Sequence, residues 1–212
     1  MRIIMVFCFS LLFYSCNGQF GNRRSNAEYV VSKKEFNDKL VDHFPRKLSS
    51  PPTEFINSKN SAKNTVGFML YEYDVSIEKI DSVVAVVEKI KIAKYNSKEN
   101  CLLIVNRFET VDTYKNRKDI IIADSTKINQ KCYELLYPIP NFINYKVPNN
   151  NSDLKLEGNF DIYVLEAKSG NHFKEFDLQP NPQMPSEWKN GYSKGIAVSK
   201  EKHTIIYWSI IW

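Results

Sequence analysis

Three histidines, four cysteines and 24 acidic residues are the raw material for chemistry in this 212-residue chain. His43 lies in Asp42-His43-Phe44-Pro45, His172 ends the turn Ser169-Gly170-Asn171-His172, and His203 follows Lys200-Glu201-Lys202. Zinc sites draw on ligands at short fixed spacings, such as i and i+4 on a helix or paired C-x-x-C. No two of the three histidines are so placed, and no metal, cofactor or catalytic set is read from the sequence. Gly191-Tyr192-Ser193-Lys194-Gly195 spells Gly-x-Ser-x-Gly, but it runs into the strand expected from Tyr192 and not into the strand-to-helix turn that makes a nucleophile elbow. The run Ser-Gly-Asn-His spells the name of a hydrolase superfamily, but adjacent residues in one turn cannot converge on a substrate from several sides. Among carboxylates, Asp161 and Glu166 sit an odd number of residues apart on one expected strand and so point to opposite faces. Glu72 and Asp74 share a face, which a solvated strand explains. With seven glycines, the chain has no phosphate-cradling loop.

The remaining chemistry is aromatic. Twelve Tyr, 13 Phe and three Trp are present, and flat amphipathic rings are enriched where proteins or sugars bind. Trp188 and Tyr192, in and beside the proline-rich run Gln179 to Gly191, are the candidate binding aromatics.

At the N-terminus, Arg2 precedes the apolar run Ile3 to Phe13, and Tyr14-Ser15-Cys16 follows. This pattern reads as a signal peptide over residues 1–15. It is too short for a membrane span, which needs roughly 20 apolar residues. The segment Phe13-Tyr14-Ser15-Cys16 resembles the lipobox of bacterial lipoprotein precursors, where a small residue precedes a cysteine that takes up lipid and becomes the mature N-terminus. The resemblance covers the first 16 residues, and Phe13 and Tyr14 replace the more usual Leu and small residue. It implies lipid attachment at Cys16, the membrane as a partner through that lipid, and a place in the bacterial cell envelope. In that family an Asp after the cysteine often retains the protein at the inner membrane; Asn17 here implies the outer membrane instead. The residues also accommodate ordinary cleavage after Gly18, which would discard Cys16.

With Cys8 in the leader and Cys16 lipidated, Cys101 and Cys132 remain as candidates for a disulfide in an oxidising compartment. Closing about 30 residues would contribute roughly 3 to 4 kcal/mol. The other reading is a pair of small buried hydrophobes.

Composition is that of an ordinary globular chain, with 43% hydrophobic and 25% charged residues. The net charge of +5 is spread as Lys alternating with Glu and Asp, which reads as a solvated surface and not a nucleic-acid groove. Residues 16–26 form a tether carrying Arg23 and Arg24, and residues 27–212 one globular domain.

The elements that must position any site come from the apolar pattern. A capping box, Ser32 with Glu35, opens a first helix, with Val31 and Phe36 as a hydrophobic staple. Phe36, Leu40 and Phe44 share its inner face, and Pro45 ends it. Arg46 to Lys63 reads as an irregular surface loop. Val66 to Val75 is a strand with one well-buried face. Ser76 to Lys94 is a helix by spacing, though its valine cluster also suits a strand. Cys101 to Phe108 completes a strand, helix, strand unit. Weaker strands are expected at Lys118 to Ala123 and Lys131 to Tyr137, then a long loop through Val147 to Asp153. Asn159 to Lys168 is a strand, and Tyr192 to Ser199 with His203 to Trp212 form a hairpin. The last strand is apolar on both faces and belongs at a sheet centre. Its terminal aromatic also resembles the closing strand of outer-membrane β-barrels, but the two helices use chain that a barrel would need.

The expected architecture is α+β: one mostly antiparallel sheet of about five to seven strands, two principal helices on one face and a C-terminal hairpin. Two functions follow. One is a non-enzymatic envelope lipoprotein that binds a protein partner. The other is an envelope hydrolase acting on glycan or peptide through scattered residues.

Overall fold

The computed structural model describes residues 26–49, 52–59, 64–107, 128–142 and 154–212. Its centre is a six-stranded sheet in the order β1 (Thr53–Asn57), β2 (Val66–Glu72), β8 (Thr204–Ile211), β7 (Gly191–Ser199), β6 (Asp161–Ser169) and β3 (Ala93–Asn96). Every pairing within it is antiparallel. The fold is α+β, with the C-terminal hairpin β7–β8 at its middle.

β8 takes the central place because apolar residues line both of its faces. Trp208 and Ile210 enter one core with Met69 and Ile162; Ile205 and Tyr207 enter the other with Phe68 and Leu70. β2 is likewise buried along its whole length, so the expectation of one buried face understated it. Two-sided burial requires a cover on each side, and the two covers differ.

One face carries the helices α1 (Asn26–Lys33), α2 (Asp38–Val41) and α3 (Ile77–Ile90). α3 begins where expected: Ser76 is its N-cap and accepts a bond from the Lys79 N–H. It ends at Ile90 and not Lys94, because Lys91 turns extended and Ile92 already donates to the Val164 carbonyl. The next residues form β3, the edge strand, which the helical reading had absorbed. β2 and β3 run in the same direction with three strands between them, and α3 spans that distance.

The first helix departs from expectation. Ser32 lies in the last turn of α1 and caps nothing; Val31 is 63% exposed, so no staple forms with Phe36. Asn37 opens α2 instead, its side chain accepting from the Lys39 N–H at 3.0 Å. Glu35, read as the other half of the capping box, reaches across to Asn57 Nδ2 and Lys59. The break has a packing cause. Tyr29, Phe36, Leu40 and Phe44 all seat in one core around Phe68, and two short helices in place of one let rings on either side of residue 34 reach the same sheet.

The opposite face is covered by irregular chain. Cys101 to Phe108 was expected to be a strand; Leu102 to Val105 are all buried, but only β4 (Ile104–Val105) is extended, in a small parallel pair with β5 (Ile139–Pro140). An apolar run marks burial without fixing conformation. Lys131 to Tyr137 is a 3₁₀ turn at Lys131–Tyr133 followed by Leu135 at φ 69°, not a strand. Within the expected loop Arg46 to Lys63, β1 pairs with β2 and buries Phe55 and Ile56; its five residues between polar flanks are too short to signal themselves. Lys118 to Ala123 and Val147 to Asp153 lie outside the described residues.

Candidate functional site

The chemistry-bearing side chains meet on the helix-covered face, and a β-bulge brings them there. Asp161 and Tyr163 of β6 pair with Val198 and Ile196 of β7; past Val164 the register shifts, so that Glu166 and Lys168 pair with Lys194 and Tyr192. The extra residue, Leu165, moves Glu166 and Lys168 onto the face already held by Asp161 and Tyr163. Counting along the sequence put Asp161 and Glu166 on opposite faces; the bulge overturns that.

Lys194 is the hub. Its side chain is only 8% exposed, and a buried ammonium persists only where partners replace its water. It donates to Asp42 Oδ1 at 2.8 Å and to the Lys39 carbonyl, and Glu166 Oε2 lies at 3.5 Å. Glu166 Oε1 accepts from the Tyr192 hydroxyl at 2.6 Å and pairs with Lys168 at 2.9 Å. The Tyr192 bond, then Lys168 and Lys194, hold the Glu166 carboxyl below its usual range. Burial first, and Glu166 second, push the Tyr192 phenol up.

His43 stands beside the hub. Its Nε2 lies 3.2 Å from the Gly195 carbonyl and 3.0 Å from the Trp208 carbonyl. Carbonyls only accept, so Nε2 carries the proton and Nδ1 is a bare acceptor in the neutral ring. Nδ1 lies 3.6 Å from Asp42 Oδ1 and has no hydrogen-bond partner among the described residues. Burial pushes the His43 imidazole below its ordinary value.

A second charged group lies at the start of α3. Glu72 is fully buried, contrary to the solvated face expected for it. It accepts from Ser49 Oγ at 2.6 Å and pairs with Lys79 at 2.8 Å. Asp74 is exposed beyond the strand, at φ 54°. The Ser76-x-x-Lys79 spacing is a helix cap with its lysine bound to Glu72, not a nucleophile and base.

The other residues singled out from sequence are placed as follows. Cys101 and Cys132 are joined as a disulfide, and Cys16 lies outside the described residues. Trp188 is half-buried; its carbonyl accepts from Trp212 Nε1, and its ring contacts Trp212 and Tyr137. Tyr192 is 7% exposed and spends its hydroxyl on Glu166, so it is not the open binding ring expected. His172 bonds the Ser169 carbonyl at 2.8 Å, and His203 the Val75 carbonyl at 3.0 Å. Among the described residues no group of three or more His, Cys, Asp or Glu could hold a metal, and no helix is long and apolar enough to cross a membrane.

Sequence reasoning missed the hub because Asp42 and Lys194 are 152 residues apart. One signal was present: in Tyr192-x-Lys194-x-Ile196-x-Val198 a lysine occupies the apolar phase of a strand, which demands a buried counter-charge. No family model, curated protein or solved structure matches the chain.

Proposed function

We propose that this chain is a lipid-anchored protein of the bacterial cell envelope, at the outer membrane, whose folded domain holds a protein partner and does not turn over a substrate. The observation that carries the reading is an aliphatic stripe on the outer side of α3. Val86 is 58% and Ile90 56% exposed, one helical turn apart, and Ile92 just past the helix is 47% exposed. The inner side of the same helix is satisfied by Ile80 and Val87 in the core. A clustered aliphatic patch rimmed by charge suits a protein interface. Its rim is the ion-pair chain Lys91, Glu88, Lys94 and Asp161. The neighbouring edge strand is blunted, since Glu99 Oε1 takes the Asn96 N–H and a lysine, Lys94, stands on the edge with its Nζ paired to Glu88 and Asp161. The partner fitting this surface therefore presents an aliphatic face and not an added strand.

The anchor rests on Ile3 to Cys16, and the Cys101–Cys132 bridge supports an oxidising compartment. A second reading, an envelope hydrolase of glycan or peptide, draws on the meeting of His43 with Asp42 and, through Lys194, Glu166. There Lys194, Glu166 and Tyr192 are spent on one another and on Asp42, and His43 Nε2 on two backbone carbonyls, which favours the binding reading.

The test is capture from detergent-solubilised envelopes with the anchored protein. A specific protein should be retained by the wild type and lost about tenfold by Val86→Asp with Ile90→Asp, the effect of some 1.4 kcal/mol. Both positions are exposed, so the variant should stay folded. Recovery of no specific protein, or equal recovery by the variant, would overturn the reading. Labelled palmitate should enter the wild type and not Cys16→Ala; an unlabelled wild type removes the anchor.

A further inference from the structure

We infer that the docking of residues 26–48 onto the sheet is proton-linked: a clasp held by neutral His43 and loosened in acid. The segment comprises α1, α2 and the turns after them, and it covers Phe68 and Tyr207 with Tyr29, Phe36 and Phe44. Its aromatic contacts are indifferent to pH. Its polar contacts with the rest of the fold include those of Glu35 with Asn57 and Lys59, of the Lys39 carbonyl and Asp42 with Lys194, and of His43 with the central hairpin. Among these the imidazole is the type of group that changes charge near neutral pH.

From the sheet side, His43 meets the carbonyls of Gly195 on β7 and Trp208 on β8, so the ring is a bolt from the helical layer into the central hairpin. The charged groups around it are few. On its own segment Asp42 lies 3.6 Å from Nδ1. From β7, Lys194 binds the same Asp42 oxygen, and behind Lys194 stands Glu166 of β6. Ser209 of β8, paired with Lys194 in register, is neutral. A proton arriving at Nδ1 would thus enter a site where the adjacent carboxylate is already committed to a buried ammonium. Asp42 is 59% exposed, while the His43 and Lys194 side chains are each 8% exposed. The water-screened carboxylate offsets little of the cost of placing two buried cations around one oxygen. Two answers remain to the protein: keep the ring neutral while docked, or release the segment and let His43 take its proton in water.

The second answer becomes favourable as pH falls. A released His43 has the ordinary midpoint near 6.5. A docked ring that stays neutral adds nothing above that pH; below it, each pH unit favours the released state by about tenfold. At pH 5 the released population would rise by about 30-fold over its neutral value. Five well-buried apolar side chains, Tyr29, Phe36, Leu40, Val41 and Phe44, still hold the segment on average, so acid loosens the clasp without emptying the core.

Amide hydrogen exchange in the intact protein, corrected for intrinsic rates, tests this at pH 7.5 and 5.0. The amides of residues 26–48 should open about 30-fold more at pH 5.0 while those of β7 and β8 stay unchanged. His43→Gln, whose side-chain amide can donate to the same two carbonyls but does not titrate in this range, should abolish the rise. Unchanged protection in the wild type, an equal rise in β7 and β8, or the same rise in His43→Gln would each overturn the proposal. Should His43→Gln not fold, the imidazole resonances of the wild type decide. A ring protonated at Nε2 with a folded-state midpoint well below 6.5 sustains the clasp, and one titrating near 6.5 refutes it.

Discussion

Gly195 shows at the residue scale why β7 carries a glycine in mid-strand, where glycine is usually costly. A Cβ there would lie 2.1 Å from the Tyr163 carbonyl oxygen and 2.5 Å from Trp208 Cζ2. The indole lies across the glycine, and Trp208 is wholly buried as a result. Gly195→Ala should destabilise the fold by about 1 to 3 kcal/mol through overpacking. Urea unfolding checks it, and an unchanged midpoint would mean that Trp208 does not pack there. The same residue lends its carbonyl to His43. Lys194 beside it is as informative: its type and strand phase signal a buried partner, but nothing local says that the partner is Asp42.

At the scale of elements, the decisive features are the break between α1 and α2 and the bulge in β6. Ser32 and Asn37 both have the chemistry of an N-cap, and Asn37 prevails because capping there turns Phe36, Leu40 and Phe44 toward Phe68 together with Tyr29. Asn37→Ala should therefore cost about 1 kcal/mol, while Ser32→Ala, in the last turn of α1, should leave the thermal midpoint unchanged. The reverse ranking would restore a single helix starting at Ser32. α3 was legible in full at its start, because Ser76 and the apolar spacing agree. Its end was not, because Ile92 to Asn96 continues in helix-compatible residues until the β6 edge recruits it. The bulge was invisible, since Val164, Leu165 and Glu166 carry no signal of an extra residue.

For the whole molecule, the sheet has two unlike covers. Helices seal one face by apolar contacts, while the other is sealed by β4, β5 and irregular chain. The Cys101–Cys132 disulfide, 31 residues apart in sequence, lies in that second cover. Replacing both cysteines by serine should lower stability by about 3 to 4 kcal/mol, chiefly by freeing the unfolded chain. Denaturation of the double variant beside the oxidised wild type measures it; coincident curves would show that the bridge restrains little.

The sequence by itself determined the α+β class, the start of α3, the C-terminal hairpin and the central place of β8. These follow from hydrophobic phase and local capping, which are written in neighbouring residues. Only the tertiary structure decided that Leu102 to Val105 would be a buried wall extended only at Ile104–Val105, that Glu72 would be buried, and that Glu166 would share a face with Asp161. It alone brought Asp42 and His43 to Lys194. Those outcomes depend on contacts across up to 165 residues of chain, where burial and pairing energies outweigh local preference and leave no periodic trace.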